Sequence, residues 1–326
     1  MFNVSSNPHV KDKITTQKVM LYVIIALLPT TLFGVFNFTS MFGISYGIRT
    51  IVLILLCVTT CVVSEYLFNK ITKRPNTVGD LSAIVTGMIL ALNLPVTLPF
   101  WMAMVGSAFA IVIVKMVFGG LGQNFMNPAL GARCFLVLSF AGPMNMFFPA
   151  NVPGVDAVTS ATPLTQIKQT GETATSLFDM FIGRHSGTIG ETSIVALLIG
   201  AIFLLVVKII DLRIPLTYII SFAIFIMLFN QSTDMTYLAK EICGGGLVFG
   251  AFFMATDYST SPITKNGKIV YGICLGLLTA ILRTFGSTAE GVSFAIIICN
   301  LLVPMIEKIT YPKAFGIVKK SSKEGK

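Results

Sequence analysis

The fold of this chain is decided first by twenty consecutive residues without a charge, VMLYVIIALLPTTLFGVFNF at positions 19–38. A helix needs about twenty apolar residues to cross the hydrocarbon core of a bilayer. The rest of the chain has the same character, because 54% of its 326 residues are hydrophobic and only 11% are charged. Soluble domains carry about 25% charged residues. No single core could hide this much apolar surface from water, so lipid must be the solvent.

Seven further stretches have the length and composition of spanning helices. They cover residues 44–68, 97–117, 128–148, 192–210, 214–230, 268–284 and 291–307. Two more apolar stretches are short and broken: residues 81–94 end in an Asn-Leu-Pro turn, and residues 241–256 contain a run of three glycines. Counting both, the sequence predicts an all-α polytopic membrane protein of about ten transmembrane helices.

The predicted helices form two groups of five, and each group has its broken helix in third place. An odd number of spans per group inserts the second group upside down, which is the inverted-repeat plan of many transporters. The predicted organisation is therefore a tail at 1–18, a first membrane repeat at 19–148, a loop at 149–191, a second repeat at 192–308 and a basic tail at 309–326.

Lysine and arginine set the orientation of a membrane protein, since short cytoplasmic loops carry an excess of them. With the N-terminus inside, the predicted cytoplasmic segments hold seventeen of these residues and the outer segments five. Both termini are thus expected in the cytoplasm and residues 149–191 outside it. The same distribution explains the net charge of +9 without a nucleic-acid partner. The polar start of the chain predicts no signal peptide.

Ionisable residues in or beside the spans are functional candidates by default. Asp80 and Asp257 lie beside the two broken helices and can line a cation path; the alternative is that both cap helix ends at the cytoplasmic interface. Lys115 is expected to extend its ammonium group to the inner surface, and Glu65 to be solvated at the end of its span. The six cysteines lack the spacing of a metal site, so none is predicted.

A segment rich in glycine and asparagine, GGLGQNFMN at residues 119–127, separates two predicted spans. Glycines permit close approach of the backbone, and the amides of Asn124 and Asn127 offer both donors and acceptors. A flat heterocycle such as an isoalloxazine ring needs this mixture of contacts. The alternative is an ordinary turn with close helix contacts.

The most specific string in the chain is DAVTSATPLT at residues 156–165, in the predicted outer loop. Together with DLSA at 80–83, KMVFGGLGQN at 115–124, GET at 190–192 and FMATD at 253–257, it makes the chain resemble a known family. That family is RnfD and, more distantly, NqrB, the membrane flavoproteins of the ion-pumping Rnf and Na+-NQR complexes. The resemblance covers almost the whole chain, and Ser160 stands where the usual string has glycine.

The resemblance implies that a separate flavin transferase takes FMN from FAD and joins its phosphate to Thr162. Asp156, Thr159 and Ala161 would be the recognition positions. A hydroxyl is a weak nucleophile until it is activated, which fits the need for a dedicated enzyme. The resemblance gives the chain itself no catalytic residue.

The resemblance further implies a urea-transporter-like helical plan and a second, noncovalent flavin such as riboflavin, for which Asn124 and Asn127 are candidate contacts. The chain would carry electrons within a complex that couples ferredoxin:NAD+ electron transfer to Na+ or H+ translocation. Its sequence has no cysteine cluster and no Gly-x-Gly-x-x-Gly string, so other Rnf subunits would bind ferredoxin and NAD+. The alternatives are a solute channel or secondary transporter without a redox role, and a structural subunit of the complex.

Overall fold

The computed structural model describes residues 15–147, 162–170, 173, 175–185, 187–231, 234–286 and 290–312. Every regular element within these ranges is helical. The first half contains α1 (Thr16–Phe42), α2 (Ile44–Ile71), α3 (Ser82–Leu92), α4 (Phe100–Met116), α5 (Pro128–Ser139) and α6 (Ala141–Met144). The remainder contains α7 (Pro163–Thr170), α8 (Leu177–Ile182), α9 (Ile194–Val206), α10 (Arg213–Asn230), α11 (Met235–Cys243), α12 (Leu247–Met254), α13 (Lys265–Phe285) and α14 (Val292–Thr310).

Five helices in the described part of the chain, α1, α2, α10, α13 and α14, are long and apolar enough to cross a membrane. The pair α11 and α12 passes the same test as one span that is bent by 62° at the glycine run. Four shorter apolar helices, α3, α4, α5 and α9, accompany them. The long helices also expose large apolar side chains, such as Leu32 and Phe36. The prediction of an all-helical, multi-pass membrane protein is confirmed.

Two of the apolar helices are partly π-helical, which the sequence does not suggest. The last seven residues of α4, Ala110–Met116, and the last five of α12, Gly250–Met254, have this form. Short π-helical stretches occur frequently at functional sites. The predicted span at 128–148 is also divided, since α5 ends at Ser139 and one turn of α6 follows.

Helix α3 ends inside the protein, where Asn93 and Leu94 are fully buried. The last carbonyls of a helix have no partner within it, and unpaired backbone groups are not tolerated in lipid. Here the backbone N–H groups of Ile189 and Gly190 donate to the carbonyls of Leu94 and Leu92, at 3.2 and 2.7 Å. The end of the segment predicted as an outer loop, 149–191, is therefore buried against the end of α3.

Glycine allows α3 to lie close against α2. A Cβ atom built on Gly87 would stand 2.7 Å from the Cα of Val58 and 3.0 Å from its nitrogen, so the backbones themselves are in contact. Small residues at such contacts are typical of helix packing in membranes, because they let the backbones approach closely.

We expect Gly87→Ala to lower the thermal stability of the detergent-solubilised protein, because the added methyl group must push α3 away from α2. Overpacking of this kind costs about 1–3 kcal/mol. The measurement is the apparent melting temperature from loss of the monodisperse size-exclusion peak. Gly142→Ala is the matched control, since a Cβ there meets nothing within 4 Å. Equal melting temperatures for both variants would contradict the close contact.

Candidate functional site

An open cavity lies at the face of the protein where α1 begins, which we call the N-terminal face. Its enclosed volume is about 80 Å³, below the range of about 300–1,000 Å³ that is usual for small-molecule sites, so a larger ligand would extend through the opening. The π-helical ends of α4 and α12 both contribute to its wall. The wall is largely apolar, and its polar side chains include Ser82, Lys115, Asn124, Asn127, Asp257 and Ser259.

The two asparagines predicted from the sequence both line this cavity, in different ways. Asn127 caps α5: its Oδ1 atom accepts from the backbone N–H groups of Ala129 and Leu130, at 3.1 and 3.4 Å. Asn124 is buried, and its Oδ1 atom has no hydrogen-bond partner within the described part of the chain. A buried acceptor without a partner is costly. Asn124 is therefore the residue whose hydrogen-bonding capacity is available to a ligand.

A buried ion pair forms the floor of the cavity. The ammonium group of Lys115 lies 2.6 Å from a carboxylate oxygen of Glu65 and 2.6 Å from the Ser82 hydroxyl. Lys115 is 1% exposed and Glu65 is fully buried. The expectations that Lys115 reaches the membrane surface and that Glu65 is solvated at a span end are thus wrong. The physical reason is that each charge neutralises the other across α2 and α4, which linear sequence does not reveal.

Asp80 and Asp257, predicted to line a cation path, both lie near Tyr258, and Asp257 and Tyr258 line the cavity. Loss of solvation, and then the negative charges of Asp257 and Asp80, raise the pKa of this half-exposed tyrosine to about 12. Asp80 accepts from the backbone and hydroxyl of Ser82, and Asp257 accepts from Ser259. These local bonds are also what helix-capping carboxylates make, so capping and a path remain compatible with the geometry.

Thr162 lies at the start of α7, away from the cavity. Its hydroxyl is 2.8 Å from that of Thr165 and accepts from the Thr165 backbone N–H at 3.3 Å, in the manner of a helix cap. The residue is 5% exposed. The predicted recognition positions Asp156, Thr159 and Ala161 lie outside the described residues.

Helix α7 packs on the glycine run between α11 and α12. A Cβ at Gly244 would stand 2.9 Å from Cγ of Leu164, and one at Gly245 would collide with the same side chain. The ammonium group of Lys168 donates to the carbonyl of Gly286 at 2.5 Å, beyond the end of α13. The helix that begins beside Thr162 is therefore held directly against the broken span.

A second buried charged cluster lies where α3 ends and α12 begins. Arg133 pairs with Glu191 at 3.3 Å and with Glu290, and it donates to Asn93 at 3.1 Å and to Ser293 at 2.9 Å. The Glu191 carboxylate contacts the start of α12, since a Cβ at Gly246 would collide with it. The arginine thus faces the negative end of one helix dipole and the glutamate the positive end of another.

A neighbouring ion pair, Arg283 with Glu241, stabilises the break between α11 and α12. Arg283 of α13 donates to the carboxylate of Glu241 at 3.0 Å and to the carbonyls of Gly244 and Gly245 at 3.0 and 3.3 Å. Its guanidinium also lies over the Phe222 ring, 5.0 Å from the centroid. These carbonyls follow directly after the end of α11, where no further helical turn supplies N–H groups to them.

The sequence alone singles out neither cluster. Sequence reasoning uses Arg133 and Arg283 only to orient the spans, and it gives Glu290 no chemical role. The available signal is the presence of charged residues within or beside apolar spans, which mark functional or structural centres in membrane proteins. That signal does not say which charges pair, because Arg133 and Glu290 are 157 positions apart.

Within the described residues, a helical scaffold with apolar spans holds charged groups in its interior and has, at one face, a cavity whose largely apolar wall carries several polar side chains. This arrangement defines the class as a multi-pass membrane protein with buried ion-paired sites. The sequence matches the NQR2, RnfD, RnfE family over residues 3–316, and the chain therefore belongs to that family.

Several relatives are similar over nearly their whole length. The D subunit of the Na(+)-translocating ferredoxin:NAD(+) oxidoreductase complex of Acetobacterium woodii is 44% identical over 320 residues, which are 97% of this chain and 96% of the relative. The D subunit of the proton-translocating ferredoxin:NAD(+) oxidoreductase complex of Clostridium ljungdahlii is 38% identical, with the same coverage. The D subunit of the ion-translocating oxidoreductase complex of Actinobacillus succinogenes is 32% identical, covering 97% of this chain and 98% of its own. The resemblance to RnfD is confirmed.

We expect Arg133→Met to destabilise the protein strongly, because it leaves two carboxylates and an amide oxygen without their buried cation. Breaking a buried ion pair from one side costs about 3–5 kcal/mol. Arg213→Met is the matched control, since Arg213 makes an exposed ion pair with Asp211 at 3.1 Å, and such pairs contribute about 0–1 kcal/mol. Melting temperatures in detergent measure the difference, and similar losses for the two variants would argue against the central role of Arg133.

Proposed function

We propose that this chain is the D subunit of an ion-translocating ferredoxin:NAD+ oxidoreductase complex and carries electrons through flavins. The observation that supports this most directly is Thr162 at the start of α7, docked on the break between α11 and α12, in a chain similar throughout to D subunits. The other subunits would be its partners and would bind ferredoxin and NAD+. The relatives' names specify Na+ in one case and protons in another, so the proposal covers either ion.

The proposed arrangement in the membrane is ten helical units in two inverted groups, 19–148 and 192–308, with a urea-transporter-like plan. The short α3 and the bent pair of α11 and α12 hold the third place in each group, as the inverted repeat requires. The excess of lysine and arginine places both tails, 1–18 and 309–326, in the cytoplasm of a prokaryotic cell. Lipid then surrounds the exposed apolar side chains of the long helices.

The first flavin would be FMN, bound covalently to Thr162. The Thr162 hydroxyl oxygen would attack a phosphorus of FAD on the transferase, forming a phosphoester; the pyrophosphate bond breaks, AMP leaves, and the hydroxyl proton passes to a base of that enzyme. Asp156, Thr159 and Ala161 would be read by the transferase. Because Thr162 is 5% exposed when α7 is docked, the transferase must reach it with α7 undocked.

The second flavin would be noncovalent, for example riboflavin, in the cavity at the N-terminal face. The cavity is open, so a ring larger than the enclosed volume of about 80 Å³ would extend through the opening, and the apolar wall suits the faces of a flat ring. Asn124 supplies a buried acceptor without a partner in the described chain, which fits a ring N–H, and Asn127 lies beside it on the wall. A bound flavin supplies one- and two-electron chemistry there.

The proposed cation path through this chain begins at Asp80 and Asp257. Asp257 lines the cavity, and both carboxylates lie within electrostatic range of Tyr258. Carboxylates are suitable ligands for either Na+ or a proton. Movement of the cation and reduction of the cavity ligand would then share one entrance.

We expect Thr162→Ala to abolish flavin fluorescence of the denatured protein band and to remove the mass of one FMN from the intact protein. The hydroxyl is the only group of that side chain able to form the ester. Thr165→Ala is the matched control, because it removes the neighbouring hydroxyl at 2.8 Å and leaves the acceptor in place. A dark wild-type band from cells that contain the transferase would contradict covalent flavinylation and would favour a channel or transporter without redox role.

We expect Asn124→Leu to reduce the noncovalent flavin released by mild denaturation of the purified complex. Losing a buried hydrogen bond weakens binding by about 1–3 kcal/mol, or about 5- to 150-fold. The measurement is chromatography of the released flavin per mole of protein. Asn266→Leu, at an exposed position near the start of α13, serves as control. Equal flavin content in both variants would exclude Asn124 as a contact.

A further inference from the structure

Burying the ion pair between Glu65 and Lys115 costs free energy, and the proposed function gives the pair no role. Removing two charges from water costs several kcal/mol per ion, and apolar side chains of similar size would often be as stable. Its position is specific: Lys115 is on the π-helical end of α4 and forms part of the cavity wall. Buried ionisable groups in membrane proteins commonly mark ion or proton pathways.

The pair belongs to a continuous chain of hydrogen bonds that reaches the surface. The hydroxyl of Thr77 donates to Glu65 Oε1 at 2.5 Å, and Lys115 donates to Glu65 Oε2 at 2.6 Å. Asn69 donates to the Thr77 oxygen at 3.0 Å and holds that hydroxyl in place. Thr77 is exposed at the N-terminal face, in the segment between α2 and α3, whereas Glu65 and Lys115 are buried. Each step is within proton-transfer distance.

At the cavity, the chain of hydrogen bonds continues through Ser82. Lys115 also donates to the Ser82 hydroxyl at 2.6 Å, and that hydroxyl donates to Asp80 at 2.5 Å. Both Lys115 and Ser82 line the cavity. The chain of hydrogen bonds therefore begins at the exposed Thr77 and ends at the wall of the proposed ligand site.

We propose that Thr77, Glu65 and Lys115 form a proton-uptake path from the N-terminal face to the cavity. This inference rests on the proposed function, because it requires a redox ligand there that gains basicity when it receives electrons from a neighbouring carrier of the complex. Lys115 gives a proton to that ligand. Glu65 then passes a proton to Lys115 and takes one from the Thr77 hydroxyl, which accepts a proton from solvent hydronium in the same step, so that no alkoxide forms. One proton enters from solvent, one reaches the ligand, and the three side chains return to their starting state.

The other charged groups near the pair leave this route intact. Asp80 contacts the Ser82 branch, and Asp257 lies at the mouth of the cavity. Arg74 donates to the carbonyl of Met116 at 3.2 Å. The thiol of Cys61 contacts the Ser107 carbonyl, at 3.7 Å. Within the described residues Glu65 is the one carboxylate bonded to both the surface hydroxyl and the cavity ammonium group.

The test uses the purified complex, reduced by stepwise electrochemistry in weak buffer. A pH-indicator dye reports proton uptake, and flavin absorbance reports electrons. We expect Glu65→Gln to slow proton uptake by about 100-fold, the lower end of what a positioned proton-transfer group contributes. Thr77→Val, which is isosteric and removes only the hydroxyl, is expected to slow it as well, and Thr77→Ser to restore it. A small permeant weak acid should accelerate uptake in Glu65→Gln.

Thr59→Val is the matched control. Thr59 lies exposed on α2, the helix that carries Glu65, and its hydroxyl donates to backbone carbonyls of the preceding turn. Wild-type uptake in Glu65→Gln and Thr77→Val, with the flavin bound, would overturn the path while leaving the proposed function standing. Wild-type uptake in Thr77→Val together with failed assembly of Glu65→Gln would make the pair structural and also overturn it. Absence of noncovalent flavin from the wild-type complex would instead refute the proposed cavity ligand, and the path with it.

Discussion

The structure depends on one constraint: a helix that ends inside a membrane protein must have its terminal backbone groups satisfied by other parts of the chain. Helix α3 ends among buried residues, and the amides of Ile189 and Gly190 pair with its last carbonyls. Arg133 then lies at the negative end of α3, and Glu191 at the positive start of α12. The charges that stabilise the two broken helices also bind them to each other, so neither half of the chain can form this centre alone.

The two broken helices connect the two polar regions of the protein. Helix α3 has Ser82 at the cavity and Leu92 at the Arg133 cluster, and α12 has Phe253 at the cavity and is preceded by Gly246 beside Glu191. Helix α7, which follows Thr162, rests on the same break. Directly packed helices thus connect the cavity to the helix that begins at Thr162.

The sequence locates individual site residues where their chemistry is local. Asn124 and Asn127 are predicted from the donors and acceptors of a glycine-rich segment, and both line the cavity. Lys115 is misplaced by sequence reasoning, because a lysine near a span end ordinarily extends to the surface, and only the position of Glu65 on the neighbouring helix makes burial favourable. Arg133 has no role in the sequence prediction for the same reason, since its partners come from distant segments.

The sequence by itself determined that the chain is a helical membrane protein and that two of its apolar stretches are broken. It also determined the family to which the chain belongs. These properties follow from composition, from the length of apolar runs and from short strings, all of which are local. The tertiary structure alone decided that the tail of the outer segment caps α3, that Glu65 neutralises Lys115, and that α7 docks on a glycine run. Pairing of charges and backbone groups depends on three-dimensional proximity, because in a low-dielectric interior each must find whichever partner the packing brings within about 3 Å.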